Sequence, residues 1–259
     1  MNRTISFGIC ISPDKVAQLA PGYDYLELAL SSTLMPLEDE ATYTAKSTNL
    51  QWLNPPVRAF NLFVPAQLKV VGEAVNWDQV ELYVERALRR AARLGGKVVV
   101  FGSGGARSVP EHYSRALAWG QLVRFLGICA DQAGPHGITI AIEPLNRREC
   151  NIINTYLEAV QLAKDVDRSE VRVLADIYHF MMDAEPLEDI TKEPDWLAHV
   201  HLADTGRRYP GSGAYPLERL FAILKDIGYR GMASIECSWG EDFTDETEKA
   251  LRFLRGLAE

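Results

Sequence analysis

The sequence has few of the residues from which disulfide frameworks and closed zinc sites are built. It contains four cysteines, and no two of them form a C-x-x-C pair. A structural zinc site is therefore not expected. A chain of 259 residues is also long enough to build a large apolar core without disulfides. We interpret the cysteines as reduced thiols of a cytoplasmic protein: Cys10, Cys129, Cys150 and Cys237.

Long apolar runs and excess positive charge are also missing. No apolar run approaches the roughly 18 residues of a membrane-spanning helix, and the segment from Met1 to Cys10 lacks the apolar region of a signal peptide. The 27 basic and 35 acidic residues give a net charge of −8, with no basic stripe. An acidic surface repels a phosphate backbone. We therefore expect neither a membrane nor a nucleic acid as partner.

Eight short apolar runs alternate with longer amphipathic segments. They are rich in β-branched and aromatic residues and do not alternate strictly, which is typical of parallel strands buried on both faces. The runs are Ile5–Ile9, Tyr25–Leu28, Val57–Leu62, Val98–Phe101, Ile138–Ile142, Val171–Ala175, Ala198–Leu202 and Met232–Ile235. Eight repeats of about 32 residues predict one α/β domain over 1–259, a single (β/α)8 TIM barrel.

Helical periodicity is visible between most of these runs. The predicted helices are Trp77–Leu94, Pro110–Ala133, Thr155–Val166, Pro216–Ile227 and Thr244–Leu257, the third and the last with threonine near the N-cap. The segment Ser31–Pro56 should hold the second helix of the barrel, but its pattern is irregular. The main alternative fold is a doubly wound open sheet. No G-x-G-x-x-G follows the first run to support it.

Candidate ligands for a metal ion follow four consecutive strands. Glu143, Asp176, His201 and Glu236 stand at the ends of the fifth to eighth runs. In a barrel these strand ends meet at the face where active sites lie. Three carboxylates and one imidazole suit a hard six-coordinate cation, and without a cation the carboxylates would repel one another. We expect one divalent ion per chain, Mn²⁺ first, with Co²⁺, Mg²⁺ or Zn²⁺ as alternatives.

Each of these residues also has an ordinary structural interpretation. A single glutamate at a strand end is usually a hydrogen-bonded rim residue, and Asp176 could simply cap the next helix. His199 fits a supporting or core histidine better than a ligand. Four such residues at four consecutive strand ends are much harder to explain structurally, and for this reason we interpret them as one site.

Further polar groups surround the four candidate ligands. Arg147, Glu149, His179, Asp204 and Arg207 lie in the same predicted loops, and Arg and His beside a metal suit sugar hydroxyls. Arg208 fits a solvated loop better, and a solvated loop also remains possible for Asp204. The run Gly102-Ser103-Gly104-Gly105 could hold a phosphate with its amides. A tight turn at the barrel mouth explains the same glycines equally well.

At these residues the chain resembles the xylose isomerase-like superfamily of sugar isomerases and epimerases, and most of all ketose 3-epimerases such as the D-tagatose and D-psicose 3-epimerases. The likeness is carried by the segments Glu143–Glu149, Asp176–His179, His199–His201, Arg207, Pro210–Gly213, Gly228–Gly231 and Ile235-Glu236. Asn61, Pro65 and the glycine run look like those of uncharacterised members. The N-terminal third departs from the epimerases, and this third shapes the sugar pocket.

The resemblance implies a role for each matching position. Glu143, Asp176, His201 and Glu236 look like the metal ligands, with Glu143 and Glu236 also the acid/base pair. Glu149, His179 and Arg207 look like the residues that hold the O1–O2 end of a ketose. A small-molecule sugar is the implied substrate, and relatives often form dimers or tetramers.

The implied chemistry is proton transfer next to a carbonyl through a cis-enediolate. One glutamate would remove the C3 proton and the other would return a proton to the opposite face, which inverts C3. Alternatives within the superfamily are a hydroxypyruvate isomerase-like enzyme, an aldose–ketose isomerase and an inosose dehydratase-like lyase. An endonuclease IV-like phosphodiesterase needs more histidines than the five present. A non-catalytic sugar- or metal-binding protein is the remaining class.

Overall fold

Eight parallel strands form a closed barrel in the order β1 to β8, so the predicted TIM barrel is confirmed. The computed structural model describes residues 5–47 and 49–259. The expectations for residues 1–4 and 48, within the predicted domain, lie outside the described residues. Strand β8 pairs with β1 and closes the cylinder. The strands are β1 Ser6–Cys10, β2 Tyr25–Ala29, β3 Val57–Asn61, β4 Val98–Phe101, β5 Thr139–Ile142, β6 Val171–Asp176, β7 Leu197–Leu202 and β8 Met232–Ile235.

Helices of very different length surround the barrel. They are α1 Leu30–Leu34, α2 Glu40–Lys46, α3 Trp77–Arg93, α4 Gly104–Arg107, α5 Arg115–Ala133, α6 Tyr156–Val166, α7 Ile177–Met182, α8 Asp189–Lys192, α9 Leu217–Asp226 and α10 Phe243–Ala258. Short 3-10 helices occupy Pro13–Gln18, Leu50–Trp52, Gly134–His136, Pro194–Trp196 and Thr205–Arg207. After β1, the 3-10 turn Pro13–Gln18 stands where an ideal barrel has a full helix.

Helix α3 shows how the sequence pattern becomes packing. Its side chains Val80, Val84, Leu88 and Ala91 recur every three or four residues and are fully buried on one face. The side chain of Asn76 accepts a hydrogen bond from the Gln79 amide and so satisfies a free N–H at the helix start. Long helices of this kind cover the outer faces of the strands.

One predicted helix start was wrong, and the capping residue explains why. Helix α5 begins at Arg115 rather than Pro110, because the Ser114 side chain accepts from the Leu117 amide. The N-cap of α10 is Asp242, whose carboxylate accepts from the Asp245 amide, and Thr244 lies near this N-cap as expected. Thr155 does cap α6, as expected. Strand ends differ from the predicted runs by a single residue where they differ.

The irregular stretch Ser31–Pro56 contains α1, α2 and one 3-10 turn instead of one amphipathic helix. It is held by Arg90 of α3, a fully buried residue whose guanidinium donates to the carbonyls of Leu34, Met35 and Glu38 at 2.7–2.9 Å. The same guanidinium lies 4.2 Å from the ring centre of Tyr43. Order in this stretch therefore depends on a distant helix, which local periodicity does not reveal.

The lower part of the barrel interior is apolar. A cluster of inward-facing side chains fills it: Tyr25, Ala59, Val98, Val100, Ala141 and Leu174. The ring of Tyr25 occupies the space that a β-carbon at residue 8 would need, so β1 carries Gly8 there. The polar side chains lie above this layer, toward the carboxyl ends of the strands. All four cysteines are free thiols. Within the described residues we find no helix that is both long and apolar enough to cross a membrane.

Candidate metal centre and substrate pocket

The four predicted ligands converge at the carboxyl ends of the strands. Glu143 follows β5, Asp176 ends β6, His201 lies in β7 and Glu236 follows β8. One ligand atom from each lies within 4.8 Å of the corresponding atoms of the other three. Glu143, Asp176 and His201 are at most 6% exposed. The structure thus brings the four residues together in one cluster, in which Glu236 alone is partly exposed.

Asp176 caps a helix and is also a candidate metal ligand, the two roles that its sequence position allowed. Its Oδ1 atom accepts a hydrogen bond from the Tyr178 amide at 2.8 Å, which caps α7. Its Oδ2 atom is buried and has no hydrogen-bond partner. A buried carboxylate oxygen without a partner is costly, and a cation is the kind of group that satisfies it.

The electrostatics of the cluster are those of crowded carboxylates around one imidazole. Burial and the neighbouring charges of Glu143 and Glu236 raise the pKa of Asp176 well above its ordinary value. Burial likewise raises the pKa of Glu143, and Glu236 adds to the rise. Burial also opposes ionisation of Glu236, but the charges of His201 and Arg207 outweigh it and lower its pKa to about 2. The two glutamates therefore differ in proton affinity.

The residues present fit a divalent metal ion. Three oxygen ligands and one nitrogen ligand match the preferences of hard six-coordinate ions. The unpartnered Oδ2 of Asp176 and the raised pKa of two carboxyls indicate negative charge that the protein itself leaves uncompensated. No thiol belongs to this group of four.

Sequence reasoning missed Glu27, which lies in the middle of β2 and is completely buried. Its carboxylate contacts His201 Nε2 at 3.0 Å and His199 Nε2 at 2.9 Å. It also accepts a hydrogen bond from Ser234 at 2.5 Å. The charge and hydrogen bonds of the two histidines overcome the effect of burial and hold the pKa of Glu27 well below its ordinary value. His199 contacts this carboxylate and belongs to neither group of candidate metal ligands in the described residues.

Two groups orient the Glu236 carboxylate. Asn61, at the end of β3, donates to Oε1 at 2.7 Å, and Arg207 donates to Oε2 at 2.5 Å. The guanidinium of Arg207 also lies 4.4 Å from the ring centre of Tyr178. Arg207 has a left-handed backbone, with φ of 57°. A non-glycine residue in this region is uncommon and indicates a position fixed by its surroundings.

His179 is held in one tautomer at the edge of the cluster. Its Nδ1 accepts a hydrogen bond from the Asn146 backbone amide at 3.2 Å, so the proton of the neutral ring lies on Nε2. That Nε2 faces Asp176 Oδ2 at 3.6 Å and Glu143 Oε1 at 3.9 Å. Burial, together with the charge of Arg207, lowers the pKa of His179 to about 3. The ring is therefore a neutral hydrogen-bond donor directed at the cluster.

A cavity of about 380 Å³ opens above the cluster. Its charged and polar lining includes Glu143, Glu149, His179, Arg207 and Glu236. The side chain of Asn146 donates to Glu149 at 2.9 Å. The rest of the lining is mostly apolar and comes mainly from the segments that follow β3, β4 and β5: Leu62, Val64, Pro65, Ala66, Gly104, Gly105 and Leu145. All three predicted substrate-binding residues thus lie around one cavity.

The glycine run after β4 is explained by close packing. A β-carbon on Gly102 would overlap the Glu143 carboxylate, and one on Gly105 would lie 2.7 Å from the β-carbon of Ala66. Ser103 has a left-handed backbone, with φ of 43°, and its hydroxyl accepts from the Val64 amide at 2.9 Å. The tight-turn interpretation therefore accounts for the run.

The buried Arg107 was also missed by sequence reasoning. It is completely buried, and its guanidinium donates to the carbonyls of Phe101 and Glu143, each at 2.8 Å. These bonds tie the end of β4 to the backbone of a candidate ligand. No motif marks an arginine of this kind, because its partners are backbone carbonyls.

The loop after β7 corrects one sequence interpretation. Asp204 is 1% exposed, and its carboxylate accepts from the backbone amides of Thr205, Gly211 and Tyr215 at 2.7–3.0 Å. It organises the loop that carries Arg207 and is not a solvated residue. Arg208, by contrast, is a surface residue paired with Glu246, as expected.

Comparisons with known proteins agree with this architecture. The family model described as xylose isomerase-like TIM barrel matches residues 14–257. The D-psicose 3-epimerase of Agrobacterium fabrum is 36% identical over 108 residues, which cover 41% of this chain and 37% of the relative. The 3-dehydro-D-guloside 4-epimerase of Escherichia coli is 31% identical over 160 residues, or 59% and 61% of the two chains.

Among solved structures, a D-allulose 3-epimerase from Methylomonas sp. superimposes with a TM-score of 0.82. It is 26% identical in sequence, and the match covers 98% of each chain. The sequence matches to the two curated relatives span less than two thirds of their length. The structural match, in contrast, extends over the whole barrel.

Proposed function

The chain belongs to the xylose isomerase-like TIM barrel family, and on this basis we propose that it is a divalent-metal-dependent sugar epimerase, acting as a ketose 3-epimerase. The observation that carries the proposal is the placement of two glutamates around one histidine. Glu143 Oε1 lies 3.2 Å and Glu236 Oε2 lies 3.4 Å from His201 Nδ1. They come from β5 and β8, which are not neighbours in the barrel.

The names of the relatives support a proton transfer beside a carbonyl group. They include ketose 3-epimerases, a 4-epimerase of a 3-dehydro sugar and inosose isomerases. Each of these reactions moves a hydrogen next to a ketone. Carboxylates on two sides of a substrate suit an inversion, because the carbon must lose a proton on one face and gain it on the other.

A divalent ion would be held by Glu143, Asp176, His201 and Glu236. When bound, it supplies Lewis acidity that makes the hydrogen beside the carbonyl easier to remove. The acidic cluster would be the binding site of this ion. We infer one ion per chain, with Mn²⁺ ahead of Co²⁺, Mg²⁺ and Zn²⁺ because three of the four ligands are carboxylates.

The two glutamates have complementary proton affinities. In the metal-free protein the pKa of Glu236 is lowered to about 2 and that of Glu143 is raised. With the ion bound to both, one glutamate would accept the C3 proton and the other would return a proton to the opposite face. The roles exchange in the reverse direction. Inversion then proceeds through a planar cis-enediolate between the two carboxyl groups.

The remaining polar residues would bind and orient the ketose. The Nε2–H of His179 donates to a substrate oxygen near the cluster, and Arg207 and Glu149 hold the same end of the sugar. Among the described residues that line the cavity, Arg207 is the only cation, and it is already engaged by Glu236. This lining favours an uncharged ketose over a sugar phosphate. The apolar wall from Leu62 to Ala66 would face the far end of the sugar.

Solvent-exchange NMR tests the proposal. The metal-stripped protein is reloaded with Mn²⁺ in D2O and incubated with fructose, psicose, tagatose, sorbose, ribulose, xylulose and hydroxypyruvate; the ion is removed with a chelator before spectra are recorded. We expect deuterium at C3 together with the C3 epimer. Exchange at C1 with an aldose product would show an aldose–ketose isomerase instead. A complete absence of exchange would contradict the proposal.

A second candidate is epimerisation at C4 of a 3-keto sugar. The E. coli 4-epimerase matches 59% of this chain, more than the 41% matched by the A. fabrum epimerase. The same two glutamates would serve, because C4 is then the carbon beside the carbonyl. A 3-keto-glycoside added to the panel distinguishes the two: deuterium at C4 in that compound, with none in the free ketoses, would favour the 4-epimerase.

A further inference from the structure

We propose that Glu27 is a positioning residue for the metal centre: its carboxylate binds the Nε2–H of His201 and thereby leaves Nδ1 as the ligand atom. The inference rests on the metal site of the proposed function and goes beyond it, since Glu27 lies outside the four ligands. It assigns Nδ1 of His201 as the coordinating nitrogen and Glu27 as the group that selects this nitrogen.

The two nitrogens of His201 face different surroundings. Nε2 lies 3.0 Å from Glu27 Oε1, on the barrel-interior side of the ring. Nδ1 lies 3.2 Å from Glu143 Oε1 and 3.4 Å from Glu236 Oε2. An ionised carboxylate only accepts hydrogen bonds, so the Glu27 contact requires the proton on Nε2. A metal ion would displace the remaining proton, the one on Nδ1, and the lone pair of Nδ1 is then directed into the cluster.

Glu27 is itself held by side chains from two other strands, β7 and β8. Its Oε2 atom receives Ser234 Oγ of β8 at 2.5 Å and lies 2.9 Å from His199 Nε2 of β7. Ser234 is in turn 2.7 Å from the hydroxyl of Tyr25, which precedes Glu27 on β2. All of these side chains are buried. The carboxylate therefore has little freedom to rotate away from His201.

A purely structural role does not explain a carboxylate at this position. The interior layer just below is apolar, and an apolar side chain would fill the space without the cost of burying a charge. Outer carboxylates that bind a ligating histidine fix its ring and raise its basicity, and their loss typically weakens metal binding about 10- to 100-fold. Glu27 has the geometry of such a partner.

Cys10 makes a competing arrangement possible. Ligand atoms of Cys10, Glu27 and His201 also lie within 4.8 Å of one another. A thiophilic ion on that side would use Nε2 of His201 and displace the hydrogen bond to Glu27. The two arrangements predict opposite nitrogens on His201, so the test must report which nitrogen carries the proton.

The first experiment is a Mn²⁺ titration of the metal-stripped protein by calorimetry. We compare the wild type, Glu27→Gln and, as a matched control, Glu185→Gln, the same change at a buried carboxylate outside the centre. We expect the dissociation constant to rise about 10- to 100-fold in Glu27→Gln and to stay unchanged in the control. Thermal unfolding of the metal-free variants checks that each is folded. Wild-type affinity in a folded Glu27→Gln protein would overturn the proposal.

The second experiment uses the wild type alone and does not depend on the fold of a variant. Protein with ¹⁵N-labelled histidine is loaded with Zn²⁺, and long-range ¹H–¹⁵N spectra locate the proton on each ring. We expect His201 to carry its proton on Nε2 and to show a metal-shifted Nδ1. The reverse pattern would overturn the proposal in favour of the Cys10 side. If the wild type binds neither Mn²⁺ nor Zn²⁺, the proposed function itself fails. Failure of Glu27 alone would leave wild-type metal binding intact.

Discussion

A β-carbon on Gly102 would overlap the Oε2 atom of Glu143. The residue at the end of β4 therefore determines where a candidate acid/base group at the end of β5 can lie. The backbone of Glu143 is fixed independently by Arg107, which donates to its carbonyl at 2.8 Å. With the backbone held, a larger residue at 102 has to displace the carboxylate itself.

We expect Gly102→Ala to weaken metal binding at least about 10-fold and to destabilise the fold by about 1–3 kcal/mol through overpacking. Titration calorimetry and denaturant unfolding measure the two effects. Gly120→Ala is the control, because a β-carbon at that position in α5 meets nothing within 4 Å. There we expect unchanged metal binding and a gain of about 0.5–1 kcal/mol. Equal behaviour of the two variants would show that Gly102 does not constrain Glu143.

The strand ends that carry Glu143, Asp176, His201 and Glu236 could be identified from sequence, because a barrel places every strand end on one face. Glu27 could not be assigned in the same way. It interrupts an apolar strand, and a charge in such a strand is a signal that something must pair with it. Its partners, however, are His199 and His201, more than 170 residues away. Pairing at that separation follows from closure of the barrel and not from local pattern.

Helix boundaries show the same division between local and distant causes. The N-cap of α6 at Thr155 could be predicted, because the Glu158 amide that it accepts from lies only three residues away. The course of Ser31–Pro56 could not, because Arg90 organises it through backbone carbonyls. Asp204 was ambiguous for a similar reason: its three donors are backbone amides, one of them eleven residues away.

Asp176→Asn should stabilise the metal-free protein and abolish its response to metal. Burial and the charges of two neighbouring carboxylates oppose the ionisation of Asp176, as its raised pKa indicates. Asparagine removes this charge and still accepts the Tyr178 amide. In the wild type, metal at 100 times its dissociation constant should add about 2.7 kcal/mol. Thermal unfolding with and without Mn²⁺ measures both changes.

Asp204→Asn is the matched control for this substitution, and the expected sign is opposite. Asp204 is equally buried, but both of its oxygens accept hydrogen bonds from backbone amides. An amide group cannot satisfy all three donors, so we expect a loss of about 1–3 kcal/mol. A metal-free Asp176→Asn protein that is also less stable would argue against the crowded-carboxylate account.

Arg207→Lys should impair turnover although the charge is kept. Lysine lacks the planar group that stacks on Tyr178 and reaches Glu236. We expect kcat/KM to fall about 100-fold, the scale on which a misplaced group affects catalysis. The neighbouring change Arg208→Lys removes only a surface pair with Glu246 and should leave kinetics unchanged. Similar kinetics in the two variants would remove Arg207 from the site.

Glu185 should make stability depend on pH. Burial raises its pKa from 4.5 to about 7, although the Tyr156 amide donates to it at 2.7 Å. The folded state therefore binds the proton more tightly than the unfolded state. Its stabilising effect is complete below about pH 4.5 and is lost as the pH rises through about 7. Relative to Glu185→Gln, the wild type should lose up to about 3 kcal/mol between pH 4 and 8. Denaturant unfolding of both proteins at about pH 4 and pH 8 measures this loss. The same change in unfolding free energy in both proteins would contradict the assignment.

The two glutamates of the proposed acid/base pair can be separated by solvent exchange. Each glutamate should exchange the C3 hydrogen of one epimer only, because each lies on one side of the substrate. In Glu143→Gln, Glu236 can still remove and return the proton on its own face, so one epimer should incorporate deuterium without being converted. Glu236→Gln should show the same behaviour with the other epimer. Both variants should lose net epimerisation by about 10²- to 10⁴-fold.

Metal content has to be measured in both variants, because both residues are candidate ligands, and the assays are run at saturating Mn²⁺. A structural role for either residue would reduce exchange of both epimers equally, whereas an acid/base role makes the loss one-sided. If the same epimer exchanged in both variants, the two glutamates could not lie on opposite faces. Near-normal turnover in either variant would remove that residue from the pair and leave it as a metal ligand alone.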